Sequence, residues 1–156
     1  MFVDFIRFKV LGFLLIIFGF ISSALGAEDY SRLNKILDFN QSILKQELGL
    51  HLDYLEDPSS KLTIHALIGG ENKRPWVRSD QPTPNFGYSS STYWFRVSLL
   101  NESSEALTRL LVIDYPLLDQ VEYFHVRNGR LIGSYLTGDT VPFTQRPLAH
   151  RDFIFP

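Results

Sequence analysis

Apolar and polar residues alternate with a period of two along the second half of the chain. In residues 92–99, one face carries Tyr93, Phe95, Val97 and Leu99, and the other carries Trp94, Arg96 and Ser98. Residues 107–115 repeat this alternation up to Pro116, and residues 153–155 begin a last strand. Short alternating runs separated by turns at intervals of about 8–12 residues are typical of a β-sandwich or a jelly roll.

A hairpin is the sharpest local prediction. Residues 121–126 and 131–136 are rich in β-branched and aromatic residues and flank Asn128-Gly129. Asn-Gly favours a two-residue turn because both of its residues adopt positive φ readily. In this register Val126 faces Leu131 and Phe124 faces Gly133, so that the glycine leaves room for the Phe124 ring.

The first half of the chain is less regular. Residues 28–50 fit either an amphipathic helix capped by Gly49 or a first strand at residues 35–39, and periodicity does not decide between them. Residues 62–68 predict a short helical turn that ends at Gly69-Gly70. Residues 71–92 are rich in proline, glycine and serine and predict a long irregular segment, a kind that often carries function.

The N-terminus has the pattern of an export signal. Arg7 and Lys9 precede an apolar run at residues 10–21, and small residues follow at 22–27. The alternative is an uncleaved anchor, because the uncharged residues 10–27 approach the length of a spanning helix. We expect residues 1–27 to be a cleaved signal peptide and residues 28–156 to be an exported domain.

Composition narrows the chemistry. The net charge of −2 gives no bulk attraction to nucleic acid, and the absence of cysteine excludes disulfides, thiolate zinc sites and a cysteine nucleophile. The sequence has no nucleophile elbow, zinc-protease motif, phosphate-binding loop or dinucleotide fingerprint. We therefore expect a non-enzymatic protein without a cofactor or a metal. Asp53, Glu56 and Asp57 are a weak calcium candidate, which a turn before Pro58 explains equally well.

Aromatic and arginine side chains are the best binding candidates, since sugar rings stack on flat aromatic faces and a guanidinium forks onto carboxylates or hydroxyls. The candidate ligand-binding residues are Trp76, Tyr88, Tyr93, Trp94, Arg96 and Arg146. The alternative is structural: sandwich aromatics usually form the core, and each arginine could form an internal ion pair, for example with Asp119 or Asp139. The basic residues Lys73, Arg74 and Arg78 are expected to form a solvated loop.

An ordered series of short motifs resembles a known family. The motifs are Leu52-Asp-Tyr-Leu-Glu-Asp57-Pro58, Pro84-Asn-Phe-Gly-Tyr88, Tyr93-Trp-Phe-Arg96, Tyr115-Pro-Leu-Leu-Asp119, Gly138-Asp139 and Pro142-Phe-Thr-Gln-Arg146-Pro147, followed by His150-Arg-Asp-Phe153. In this order and spacing, over residues 36–156, they resemble the second type of extracellular domain of bacterial seven-transmembrane receptors with diverse intracellular signalling modules (7TMR-DISM).

The resemblance implies a jelly-roll β-sandwich similar to carbohydrate-binding modules. It also implies a periplasmic sensor of a small molecule or saccharide that signals through membrane helices to a diguanylate cyclase or a histidine kinase. Family domains usually continue for another strand pair, so we expect a fragment that lacks its last strands and the transmembrane region. The alternative is a free-standing periplasmic sensor. The alternative function is a protein-interaction or dimerisation domain of the cell envelope, without a small-molecule ligand.

Overall fold

The computed structural model of the protein describes residues 2–9, 18–19, 37–38, 45–101 and 105–156. These ranges contain ten strands, one α-helix and two 3-10 helices. The strands are β1 (Phe2–Lys9), β2 (Phe18–Gly19), β3 (Leu37–Asp38), β4 (Asp53–Asp57), β5 (Val77–Arg78), β6 (Thr92–Leu100), β7 (Leu111–Ile113), β8 (Gln120–Arg127), β9 (Arg130–Thr137) and β10 (Phe153–Phe155). Helix α1 is Ile64–Ile68, and the 3-10 helices are Gly49–His51 and Phe143–Gln145.

The strands form a large sheet and a small one. The large sheet has the order β5-β4-β6-β1-β8-β9, with β3 added to β6, and the small sheet has the order β10-β7-β2. All pairs are antiparallel except β3 with β6. The predicted mainly-β fold is confirmed and is consistent with a β-sandwich. The jelly-roll connection of the strands stays a prediction.

The main core lies between the two sheets, on what we call the inner face of the large sheet. Because successive strand residues point to opposite faces, Tyr93, Phe95 and Val97 of β6 all reach this core. Residues of the small sheet meet them there, namely Leu111, Ile113, Phe153 and Phe155. Phe95 and Ile113 are fully buried, so the inner face is closed to solvent.

The opposite, outer face of the large sheet has a second apolar cluster. Its buried members are Phe5, Leu55, Ile64, Trp94, Phe124 and Val126. Helix α1 covers part of this cluster and begins at Thr63, whose hydroxyl accepts a hydrogen bond from the Ala66 N–H at 3.2 Å. This cap and the following Gly69 confirm the predicted short helical turn.

The hairpin prediction is confirmed in its turn but is wrong in part of its register. Asn128 and Gly129 have φ values of 50° and 72°, and Val126 pairs with Leu131 as predicted. A β-bulge between His125 and Val126 then shifts the ladder by one residue, so Phe124 pairs with Ser134 and not with Gly133. The Phe124 ring stacks on Trp94 instead, at 5.7 Å between centroids.

The strand predicted at residues 107–115 is present only at Leu111–Ile113. A strand lasts only as far as its hydrogen-bonded partner, and its partner β10 supplies three paired residues. Residues 71–92 are irregular as predicted, apart from the two-residue strand β5 and Thr92, which begins β6.

The first segment of the chain has a structural role in the sheet. Strand β1 lies within the predicted signal peptide and is paired along its whole length with β6 and β8. The signal peptide and its cleavage stay predictions. The helix and the strand considered for residues 28–50 fall largely outside the described residues. Of those that are described, residues 37–38 form β3 and residues 45–48 are not helical. None of the helices in the described ranges is long and apolar enough to span a membrane.

Candidate ligand-binding site

A carboxylate held between two guanidinium groups lies on the outer face. Strand pairing places Asp53 of β4 directly opposite Arg96 of β6 and Arg78 of β5. The two Nε atoms meet different oxygens of the carboxylate: Arg78 lies 3.0 Å from Oδ1 and Arg96 lies 3.1 Å from Oδ2. Cross-strand neighbours on one face thus form a compact group with one surplus positive charge.

Trp76 covers this group from the irregular segment, one residue before β5. The guanidinium carbon of Arg96 lies 4.4 Å from the centroid of the indole ring, within the range of a cation–π interaction. The ring of Phe5 is 5.9 Å away at a tilt of 58°, and the indole is partly buried against the outer cluster. We call Trp76, Arg96, Arg78 and Asp53 the Trp–Arg cluster.

The Trp–Arg cluster keeps hydrogen-bond donors in contact with solvent. The side chains of Arg96 and Arg78 are 26% and 35% exposed, and Arg78 also donates to the His51 carbonyl at 2.9 Å. Two guanidiniums carry about ten N–H donors, whereas one carboxylate and one carbonyl offer about six acceptor positions. Burial lowers the pKa of Arg96, and the neighbouring Asp53 carboxylate opposes that effect. A guanidinium in a protein stays protonated at neutral pH.

Two predicted site residues lie in the core. Trp94 is fully buried, with Phe124 stacked on one side and the Arg7 guanidinium 5.5 Å from its ring centroid. Tyr93 stacks on Phe86 at 4.3 Å, on the inner face. Burial raises the pKa of the Tyr93 hydroxyl, which lies 3.3 Å from a Glu56 carboxylate oxygen. Both aromatic residues therefore lie in the core, as the structural alternative to ligand binding expects.

The remaining two candidates lie apart from the Trp–Arg cluster. Tyr88 is 82% exposed on the irregular segment. Arg146 lies over the rings of Phe143 and Phe153, at 4.9 and 4.5 Å, and donates to the carbonyls of His150 and Arg151. It thus ties together the loop before β10, at the small sheet. Arg96 does form an internal ion pair, but with Asp53 and not with Asp119 or Asp139.

Sequence reasoning missed the part played by Asp53 and Arg78. Asp53 was considered only as a calcium ligand and Arg78 only as a solvated loop residue, because their meeting depends on the pairing of three strands that are distant in sequence. The other two acidic candidates have partners of their own: Ser91 donates to Glu56 at 2.6 Å, and Ser59 and Leu62 donate to Asp57. Among the described residues, no three histidine or acidic side chains are grouped to hold a metal ion.

Comparison with known proteins identifies a family for this part of the chain. The family model described as 7TMR-DISM extracellular 2 matches residues 49–156. No curated protein and no solved structure matches the chain with significance. The matched range includes strands β4 to β10 and all four residues of the Trp–Arg cluster.

Proposed function

The chain belongs to the 7TMR-DISM extracellular 2 family, and from this premise we propose that it is a ligand-sensing input module that binds a saccharide at the Trp–Arg cluster. Membership in the family implies a periplasmic sensor domain of a membrane receptor, on the exported side of the membrane. The finer parts of the proposal are the saccharide ligand, the absence of catalysis, and an output through a diguanylate cyclase or a histidine kinase.

The meeting of Trp76 with Arg96 is the observation that carries the proposal. The C–H face of a pyranose packs well on an indole ring, and a neighbouring guanidinium can donate to ring hydroxyls or to a carboxylate. Both side chains are partly exposed. Strand pairing and Asp53 hold Arg96, and packing against the outer cluster holds Trp76, so the site is formed before a ligand binds. The surplus positive charge favours acidic over neutral saccharides.

Tryptophan fluorescence of the full chain tests the proposal directly. The variant Trp94→Phe leaves Trp76 as the remaining indole, so its emission reports on the Trp–Arg cluster. We expect a saturable change when this variant is titrated with acidic saccharides or cell-wall fragments, and a weaker response to neutral sugars.

Matched variants locate the binding. In calorimetric titrations, Trp76→Ala and Arg96→Ala should each weaken saccharide binding at least about tenfold, the loss of roughly 1.4 kcal/mol. Lys73→Ala changes an exposed cation of the same segment and should leave the affinity unchanged. Saturable binding that is indifferent to both Trp76→Ala and Arg96→Ala would contradict the proposed site.

A second candidate function has an observation of its own. Among the described residues, strand β9 lies at one end of the strand order of the large sheet, and Ile132 and Leu136 on it are 54% and 46% exposed. Exposed apolar residues on an edge strand favour pairing with another chain. An interaction domain predicts concentration-dependent association in sedimentation experiments, abolished by Ile132→Lys with Leu136→Lys, whereas a saccharide sensor stays monomeric and binds its ligand with both substitutions.

A further inference from the structure

The centre of the large sheet is formed by a strand that comes from far away in the sequence. Residues 2–8 of β1 pair with Leu99 through Tyr93 of β6 on one side and with Arg127 through Val121 of β8 on the other. Neighbouring strands lie about 4.8 Å apart, so β6 and β8 are separated by about twice that distance and cannot bond to each other. Without β1 the large sheet would divide into two parts with unpaired edges.

The inner-face contacts of β1 are chemically specific. Asp4 is fully buried, and one of its carboxylate oxygens lies 2.5 Å from Nδ1 of His125. The Tyr123 hydroxyl lies 3.3 Å from the same nitrogen. Ile6, two residues along, joins the apolar core between the sheets. Burial raises the pKa of Asp4. This side of the position therefore selects a carboxyl side chain and, two residues on, an aliphatic one.

The outer-face contacts are equally specific. Phe5 joins the outer apolar cluster next to Trp76. Arg7 bonds to the Glu122 carboxylate at 3.1 Å and to the Ser60 carbonyl at 3.0 Å, and it lies over the Trp94 ring. Acid, aromatic, aliphatic and arginine side chains at four successive positions thus match four different environments.

These contacts belong to a segment whose sequence also has the pattern of a removable export signal. We propose that the position between β6 and β8 is a strand-binding site, which residues 2–9 occupy in the uncut chain. After their removal, it binds an extended segment of a partner protein that carries the side-chain pattern of residues 4–7. Main-chain hydrogen bonds to both edges supply affinity, and the Asp4 and Arg7 positions supply selectivity. The proposal concerns β1 alone and does not depend on saccharide binding.

A cut in the folded full chain tests the site. A protease recognition sequence replaces residues 11–16, between β1 and β2, so that β2 stays attached to the domain and keeps its pairing with β7. The protein is cleaved after folding, and a fluorescent peptide with the sequence of residues 2–9 is added. We expect the cut N-terminal fragment to stay bound through gel filtration and to exchange with the labelled peptide, as followed by anisotropy.

Matched peptides test the selectivity. A peptide of identical composition in which Asp4 and Arg7 are exchanged should bind about a hundredfold more weakly or worse, because it buries an unpaired guanidinium at the Asp4 position. The protein variant Glu122→Arg should lower the affinity for the native peptide about fivefold, and a peptide with Arg7→Glu should restore it. Equal affinity for the native and the exchanged peptides would overturn the proposal.

The cleaved protein without added peptide can also contradict the proposal. If the fragment leaves and β6 and β8 keep slow amide hydrogen exchange without any peptide, the site is not needed and the proposal fails. It fails also if the cut protein forms a dimer that the native peptide does not dissociate, since the occupant is then a second copy. If the cut protein aggregates, cleavage is repeated in the presence of each peptide: rescue by the native peptide only supports the site, and equal aggregation refutes it.

Discussion

The two faces of the large sheet differ in what covers them. The inner face buries Phe95 completely against the small sheet, in a cluster of aliphatic and aromatic side chains. The outer face is covered by a five-residue helix and an irregular segment, and it combines Trp76 and Trp94 with the charges of Arg96 and Arg7. One strand, β6, supplies both faces through its alternation. A sheet of this kind can keep its stability on one side and present binding chemistry on the other.

The largest effect that separates the two faces is expected at the inner core. Replacing Phe95 by alanine removes a fully buried ring that the two packed sheets cannot collapse to fill, so the free energy of unfolding should fall by about 3–5 kcal/mol. Trp76→Ala removes a larger ring from the partly exposed outer face and should cost less than half as much. Denaturant titrations of both variants measure this difference, and equal losses would mean that the outer cluster also carries the fold.

Local signals in the sequence predict the elements that this comparison rests on. The alternation of residues 92–99 gives the two faces of β6, because side chains on a strand point alternately to each side. Asn128-Gly129 gives the hairpin, because only a few residue types accept two successive positive φ values. Gly69-Gly70 gives the end of the short helix, and the structure adds the N-cap at Thr63. Each of these signals lies within a few residues of the structure that it determines.

What the sequence does not reveal depends on contacts between distant segments. The bulge beside His125 is set by packing and has no mark in the turn residues. The approach of Asp53 to Arg96 requires β4 to pair with β6 across an irregular segment, so the sequence allows an ion pair of Arg96 but does not identify Asp53 as its partner. Residues 2–9 look like the start of an export signal, and alternation over so short a stretch does not predict a central strand.

A smaller effect is expected at Asp57, which holds the turn that leads into α1 and hence the cover of the outer face. Burial disfavours its charge, but hydrogen bonds from Ser59 and the Leu62 N–H, with the charge of Arg74, outweigh this and hold the Asp57 pKa below its usual value. Asp57→Asn should therefore cost about 1–3 kcal/mol at pH 7.

The pH dependence of the Asp57 effect has a definite sign. A lowered pKa in the folded state means that the ionised carboxylate contributes stability above its unfolded pKa of about 4, and that this contribution is lost as the pH falls through the folded value. The gap in unfolding free energy between the wild type and Asp57→Asn should therefore be widest at pH 7 and narrow below pH 4. Unfolding curves at pH 7 and pH 3 with an equal gap would contradict this.

The ion pair of the Trp–Arg cluster is expected to contribute less again. Because the Arg96 side chain is 26% exposed, solvent screens its attraction to Asp53, and a double-mutant cycle of Arg96→Ala with Asp53→Asn should give a coupling of about 0.5–1 kcal/mol. The same cycle with Lys73→Ala in place of Arg96→Ala is the control and should give no coupling. A coupling well above this range would mean that the pair is a structural part of the fold and not a surface available to a ligand.

The smallest effect on stability is expected at Tyr88, which contrasts with its neighbour Tyr93. The side chain of Tyr88 is 82% exposed, so Tyr88→Ala should change the free energy of unfolding by less than about 0.5 kcal/mol, whereas Tyr93→Ala should destabilise the core by several-fold more. Thermal unfolding of both variants checks this. If Tyr88→Ala also weakens saccharide binding, the binding surface extends from the Trp–Arg cluster along the irregular segment to Tyr88. If binding is unchanged, the Trp–Arg cluster is sufficient and Tyr88 takes no part in recognition.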